Sequence, residues 1–199
     1  MNDSTFSQVP AGLGAALEKR GFTALTAIQE AVLDPKLAGR DVRMSSQTGS
    51  GKTVALGFLV ADLLLEDRAR YPAQTPKKKR KARPAVLMIA PTRELAMQLA
   101  DELGWLFRPL QVEVGVVTGG RPIPGDLRLL DRNPAVLVWT PGRLVDHLTR
   151  GRLDLSTVAC VAIDEADELL DMGFAEELDA IMEAVPEERR THLISATFP

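Results

Sequence analysis

Ser46-Gln47-Thr48-Gly49-Ser50-Gly51-Lys52-Thr53 sets a small residue, four others, and then Gly-Lys-Thr in a fixed order. Glycines let a backbone curl until successive N–H groups face one anion. The positive end of a following helix strengthens that field. Lys52 would then reach the β- and γ-phosphates of a nucleoside triphosphate, and the Thr53 hydroxyl would hold Mg²⁺. The flanks agree with this reading. Asp41-Val42-Arg43-Met44-Ser45 reads as a short strand before the loop, and Val54 to Leu65 as an apolar helix after it. A flexible Gly/Ser turn that merely precedes Lys-Thr would need neither flank.

Upstream of the loop, Leu13 and Leu17 lie at helical spacing between Pro10 and Arg20, with Gly21 as the stop. Thr26 reads as the cap of a second helix carrying Ile28, Val32 and Leu33, broken or kinked at Pro35 and ended at Gly39. Downstream, Leu65 to Pro84 turns polar and carries Lys77-Lys78-Lys79-Arg80-Lys81 and Arg83 among three prolines. Such a run reads as a solvated surface insertion, with an electrostatic arm for RNA or a nuclear-import signal as alternatives.

The rest of the chain repeats one pattern. Ala85 to Ala90, Val112 to Val117, Ala135 to Trp139 and Val158 to Ile163 are apolar runs, and Leu193-Ile194 is a shorter one. Strands apolar on both faces belong in a parallel sheet covered by helices. Helices are readable between them: one capped by Thr92 with Leu95, Leu99 and Leu103, one over Gly142 to Thr149, and one over Phe174 to Val185 stopped by Pro186. The alternation predicts an α/β fold, a mostly parallel sheet with helices on both faces.

Composition narrows the class. The chain has 199 residues, 45% of them apolar and 26% charged, which suits one soluble α/β domain. A net charge of −3 gives no global attraction to nucleic acid, so any such surface must be local. One cysteine, Cys160, excludes an internal disulfide and fits a reducing compartment; it sits in an apolar run as a core residue would. Asn2-Asp3-Ser4-Thr5 lacks the basic start of a secretory leader, and no run reaches the ~20 apolar residues of a membrane span. A cytoplasmic protein with no membrane partner is expected. His147 and His192 have no metal-ligand spacing, and Trp139 reads as a core residue.

In parallel sheets, ligands sit beyond the carboxyl ends of the strands. The chemically informative residues follow the apolar runs: the anion loop, Pro91-Thr92-Arg93-Glu94, Thr118-Gly119-Gly120-Arg121, Thr140-Pro141-Gly142-Arg143, Asp164-Glu165-Ala166-Asp167 and Ser195-Ala196-Thr197. Asp164 ends a buried run, where an aspartate that organises Mg²⁺ belongs. Glu165 beside it could orient or deprotonate an attacking water. Alternatively, both acids merely favour the start of the next helix.

Asp164-Glu165-Ala166-Asp167 spells DEAD, and from Phe6 to Pro199 the chain resembles the DEAD-box family of ATP-dependent RNA helicases. The motifs occur in family order. Gly21-Phe22 through Ile28-Gln29 is similar to the adenine-reading Q motif. Ser46 to Thr53 resembles motif I, Pro91 to Ala96 motif Ia, Gly119-Gly120 the glycine pair, Thr140 to Arg143 motif Ib and Ser195 to Thr197 motif III. Leu25 and Ala27 stand where the Q motif usually has prolines, and Glu168 where a basic residue is frequent.

The resemblance implies a RecA-like, P-loop fold: residues 1–40 as N-terminal helices packed on a nucleotide-binding core, residues 41–199. It implies ATP and Mg²⁺ as cofactors. Gln29 would read the adenine edge and Phe6 would stack on its ring. Ser46, Gln47, Thr48, Gly49, Ser50, Gly51, Lys52 and Thr53 would hold the phosphates, Thr53 and Asp164 the metal, and Lys52, Asp164 and Glu165 would be catalytic. Asp167 would bond to Ser195 and Thr197, coupling nucleotide to RNA. Pro91, Thr92, Arg93, Gly119, Gly120, Arg121, Thr140, Pro141, Gly142 and Arg143 would line a path for single-stranded RNA. Backbone contacts of that kind carry no sequence information. The family works with two such lobes, and the sequence lacks the His-Arg-x-Gly-Arg-x-x-Arg run of the second. The chain is therefore expected to be the N-terminal lobe of a longer protein, with that second lobe as a partner. An ATP-dependent RNA clamp without productive unwinding is the alternative.

Overall fold

The computed structural model describes residues 6–10, 12–45, 49–66 and 81–196. Six strands alternate with helices: β1 (Val42–Ser45), β2 (Val86–Ile89), β3 (Val114–Val117), β4 (Val136–Trp139), β5 (Cys160–Ile163) and β6 (Arg190–Ser195). They form one sheet in the order β1-β6-β5-β2-β4-β3, and all five pairings are parallel. Parallel neighbours need crossover connections, which the helices supply. Helices α1 (Leu13–Lys19) and α2 (Ala27–Ala31) precede β1, α3 (Lys52–Glu66) follows it, and α4 (Arg93–Leu106) follows β2. Then α5 (Ile123–Asp131) follows β3, α6 (Pro141–Thr149) follows β4, and α7 (Ala166–Asp171) and α8 (Ala175–Ala184) follow β5.

The period of two along each strand divides the interior into two cores. Val86 and Met88 of β2 face the core that holds Leu13, Leu17, Phe58 and Leu103, so α1, α3 and α4 cover this side. Leu87 and Ile89 face the core that holds Leu144, Leu169 and Ile181, so α6 to α8 cover the other. Leu13 and Leu17 are fully buried, which ties the N-terminal helices into the first core. Each such leucine stabilises the docking by roughly 1.5–3 kcal/mol. Trp139 and Cys160 are core residues, as expected, and burial pushes the Cys160 thiol up to about 12. Among the described residues no helix is long and apolar enough to cross a membrane.

The structure departs from the sequence reading at three elements. The helix capped by Thr26 stops at Ala31, and Pro35–Leu37 forms a separate 3₁₀ turn. Asp34 is extended (φ −60°, ψ 122°), the conformation that a following proline imposes, and its Oδ1 accepts from Lys36 N at 2.9 Å. Helix α5 was not readable, because Pro124 and Gly125 look like a turn; both sit in its first turn, where proline is tolerated. Strand β6 is the longest at six residues, although Leu193-Ile194 is a short apolar run. It lies between β1 and β5; the β5 ladder holds its polar residues Arg190 to His192 in line, and the β1 ladder joins at His192.

Candidate functional site

Because every strand runs the same way, all six carboxyl ends lie along one rim. The sheet order divides that rim. The turns after β1, β6 and β5 bring the anion loop, Ser195-Ala196 and Asp164-Glu165 side by side. Those after β2, β4 and β3 bring Pro91-Thr92-Arg93, Thr140 to Arg143 and Thr118 to Arg121 together on the other half. Ser46, Gln47, Thr48 and Thr197 lie outside the described residues, as does the basic run up to Arg80.

On the first half, a cleft of about 380 Å³ is lined by Gly49, Gly51, Lys52, Thr53, Asp164 and Glu165, with Phe22, Thr26 and Gln29 at one wall. Its volume lies within the usual range for a small-molecule site. Lys52 is the first residue of α3 and only 8% exposed. Its Nζ stands 3.3 Å from Glu165 Oε1. Asp164 follows β5 directly, and its N–H donates to the Ile89 carbonyl at 2.8 Å, which fixes the strand end. Burial pushes the Asp164 carboxyl up to about 6; the Glu165 charge adds to this, and Lys52 opposes it. Glu165 adopts a left-handed conformation (φ 48°, ψ 58°). For a residue other than glycine that conformation costs on the order of 1–3 kcal/mol, and such strain gathers at functional sites.

The cradle fits an anion. Ser50 Oγ is buried without a hydrogen-bond partner among the described residues. Gly51 has φ +90°, and a Cβ there would strike the Gln29 amide. The donor set also fits a hard cation: a hydroxyl at Thr53 and a carboxylate at Asp164 both line the cleft. Among the described residues no group of His, Cys, Asp and Glu could hold a metal alone. Mg²⁺ does not require one, since it commonly takes one or two carboxylates and completes its shell with water and substrate phosphates.

Of the two expected adenine contacts, Gln29 lines the cleft and Phe6 does not. Phe6 is 2% exposed within the first core and does not line the cleft, since an aromatic ring gains more from burial among apolar neighbours than from an open wall. The aromatic ring at the cleft is Phe22, whose centroid lies 5.9 Å from that of Trp105. Gln29 is fully buried, and its amide is already engaged at both ends. Thr26 N–H donates to Gln29 Oε1 at 3.0 Å, and Gln29 Nε2 donates to the Gly51 carbonyl at 3.3 Å. The glutamine thus caps α2 and wires it to the anion loop. Thr26, Gln98 and Glu102 also line the cleft, and the sequence offered no signal for the last two beyond their place on α4.

On the second half, Arg93 and Arg121 are exposed while Pro91 and Pro141 are buried. The Arg93 head covers Gly120, where φ is +75° and a Cβ would collide with it. Thr92 Oγ1 accepts from Leu95 N–H at 3.2 Å, and Thr140 Oγ1 accepts from Gly119 N–H at 3.3 Å. Each hydroxyl keeps its own O–H to donate. The expected role of Arg143 as an open phosphate contact is not what its geometry offers: Nε donates to Asp126 Oδ2 at 2.7 Å and an NH2 group to the Arg121 carbonyl at 2.7 Å. A buried carboxylate holds the guanidinium more firmly than solvent would.

Of the residues expected to couple the halves, Ser195 is buried opposite Ser45 of β1, and Asp167 lies half-buried in the first turn of α7. Ser45 Oγ donates to the Ala196 carbonyl at 3.3 Å, which joins the ends of β1 and β6.

A family model described as DEAD/DEAH box helicase matches residues 26–199. The chain is 40% identical over 184 residues to the DEAD-box ATP-dependent RNA helicase CshA of Geobacillus kaustophilus, covering 92% of this chain and 37% of that protein. It is 38% identical over 192 residues to the CshA of Bacillus licheniformis, covering 96% and 37%. Among solved structures, it resembles a hypothetical ATP-dependent RNA helicase from Sulfolobus tokodaii with a TM-score of 0.78 and 31% identity, over 100% of this chain and 52% of that one. The chain thus spans little more than a third of the length of these curated relatives.

Proposed function

The chain belongs to the DEAD/DEAH box helicase family, and we propose that it is the ATP-binding lobe of an RNA helicase that couples ATP hydrolysis to duplex unwinding or RNA–protein remodelling. The observation that carries this reading is the meeting of Lys52 with Asp164 and Glu165 in one cleft, next to an anion cradle. Lys52 and the loop N–H groups would bind the triphosphate, Thr53 and Asp164 would hold Mg²⁺, and Glu165 would orient the attacking water. Mg²⁺, when bound, would neutralise charge developing on the phosphates. The rest is positioning by the chain itself.

Arg93, Arg121 and the threonine hydroxyls would bind RNA phosphates without reading bases. Asp167, Ser195 and Thr197 would couple that path to the cleft. A second lobe of the intact protein would supply the arginine finger and the rest of the path, in the cytoplasm. An arginine finger typically contributes ~10³–10⁵ in rate. This chain alone is therefore expected to bind Mg²⁺-ATP, seen by titration with a fluorescent ATP analogue, and to hydrolyse it very slowly. Failure to bind nucleotide would overturn the cleft assignment, and brisk RNA-stimulated hydrolysis would overturn the need for a second lobe.

A further inference from the structure

One acidic side chain on the RNA half of the rim has no part in the roles above. Asp126 lies in the first turn of α5 and is 5% exposed. Its Oδ2 accepts from Arg143 Nε at 2.7 Å and forms an ion pair with Arg143 Nη2 at 2.7 Å. His147 Nε2 lies 2.9 Å from the same oxygen, and His147 is fully buried. A carboxylate can only accept, so Nε2 carries a proton, and Nδ1 is left without a partner among the described residues. One oxygen thus gathers donors from two positions on α6.

The geometry points to Asp126 as the positioning residue of the RNA path. This inference rests on the reading of that path given above. Two segments must face a phosphate chain together: the turn Thr118 to Pro122 after β3, and Thr140 to Arg143, the start of α6 after β4. They are tied at one end by Gly119 N–H to Thr140 Oγ1 and at the other by Arg143 to the Arg121 carbonyl. Arg143 holds the second tie only while its guanidinium is oriented, and Asp126 orients it. The arginine is 12% exposed at its side chain, so it acts through the turn that carries Arg121 and not as a phosphate ligand. His147 braces the carboxylate from below, against the edge of Trp139 at a ring separation of 5.5 Å.

Direct and indirect roles leave different marks. A side chain that touches a phosphate reduces the salt slope of RNA binding by about one when removed, whereas a residue that only preorganises the turn leaves every phosphate contact to form at an ordering cost, and so weakens binding without changing the slope. The experiment measures anisotropy of a labelled oligouridylate over a salt series, together with backbone hydrogen exchange, for this chain and for Asp126→Asn, Arg143→Ala, the double variant and Arg93→Ala. Asp126→Asn and Arg143→Ala should each weaken RNA binding about tenfold with an unchanged slope. The double variant should be no worse than either single one, since both break the same tie. Exchange at residues 118–121 should accelerate about tenfold while α3 and nucleotide affinity stay as they were, which also controls for folding. Arg143→Lys keeps the charge but not the two-pronged geometry; it should give the same loss and replaces Asp126→Asn if that variant does not fold.

An Arg143→Ala slope reduced by one, or wild-type RNA affinity in Asp126→Asn, overturns the inference. Unchanged exchange at residues 118–121 overturns the tie whether or not RNA binds. Accelerated exchange in a chain that shows no RNA affinity even before substitution overturns the RNA path and this inference with it, and leaves the nucleotide reading intact.

Discussion

Lys52 Nζ lies 3.3 Å from Glu165 Oε1, pairing two residues 113 positions apart across the cleft. In this arrangement the residue proposed to hold phosphates is engaged by the residue proposed to orient water. A triphosphate would draw Lys52 to itself and leave Glu165 available, so binding and activation of the base would be linked.

Replacing Glu165 by Gln should therefore preserve or tighten ATP binding while abolishing turnover in the intact enzyme. Lys52→Ala should weaken ATP binding at least about tenfold, equivalent to ~1.4 kcal/mol. Titration with a fluorescent ATP analogue and single-turnover hydrolysis separate the two effects. Normal turnover in Glu165→Gln would remove the base assignment.

Asp164 and His192 should give the metal-free chain opposite responses to acid. The Asp164 carboxyl is raised to about 6, mainly by burial, so its contribution to stability is complete below about 3.8 and is lost as pH rises through about 6. His192 is 1% exposed, with neither ring nitrogen partnered among the described residues, and burial lowers it to about 4. Its contribution is present above about 6.5 and is lost as pH falls through about 4. Each amounts to roughly 3 kcal/mol, with opposite sign over the shared window. In urea unfolding with EDTA, Asp164→Asn should lose more stability between pH 6.5 and 4 than His192→Leu, since contributions from other carboxylates cancel in the comparison. Identical slopes in the two variants would refute both assignments.

Gln29 joins α2 to the anion loop. Gln29→Ala removes both of its hydrogen bonds and should cost about 1–3 kcal/mol of stability. Gly51→Ala forces a Cβ into the same amide at a positive φ and should both destabilise the chain and weaken nucleotide binding. Urea unfolding and titrations with ATP and GTP analogues test this. Unchanged stability with a lost preference for ATP in Gln29→Ala would assign the amide to the base and not to the helix cap.

RNA binding should be nearly independent of sequence and steeply dependent on salt. Arg93→Ala and Arg121→Ala should each lower the slope of log affinity against log salt by about one. Anisotropy with oligouridylate and oligoadenylate of equal length measures this. A large preference between them would mean that base edges are read.

Much of this was legible beforehand. Apolar runs separated by helical periods forced a parallel sheet, because strands without a polar face must be covered on both sides. The rim rule then gathered the motifs. What escaped the reading had local signals pointing the other way. Pro124 and Gly125 resemble a turn but begin α5. Arg190, Thr191 and His192 do not look like a strand but are held as one by the β5 ladder, with β1 pairing from His192 onward. Phe6 offered an aromatic ring upstream of the Q motif, and the fold buries it in the core.

The sequence by itself determined the class of fold and the chemistry at each strand end, since periodicity and backbone requirements such as the loop glycines are local properties. Only the tertiary structure decided which partner each polar group takes: Glu165 for Lys52, Gly51 for Gln29, Asp126 for Arg143. Those choices depend on distances between segments far apart in the chain, and at a buried site a few ångströms decide whether a charged group meets a ligand or another side chain.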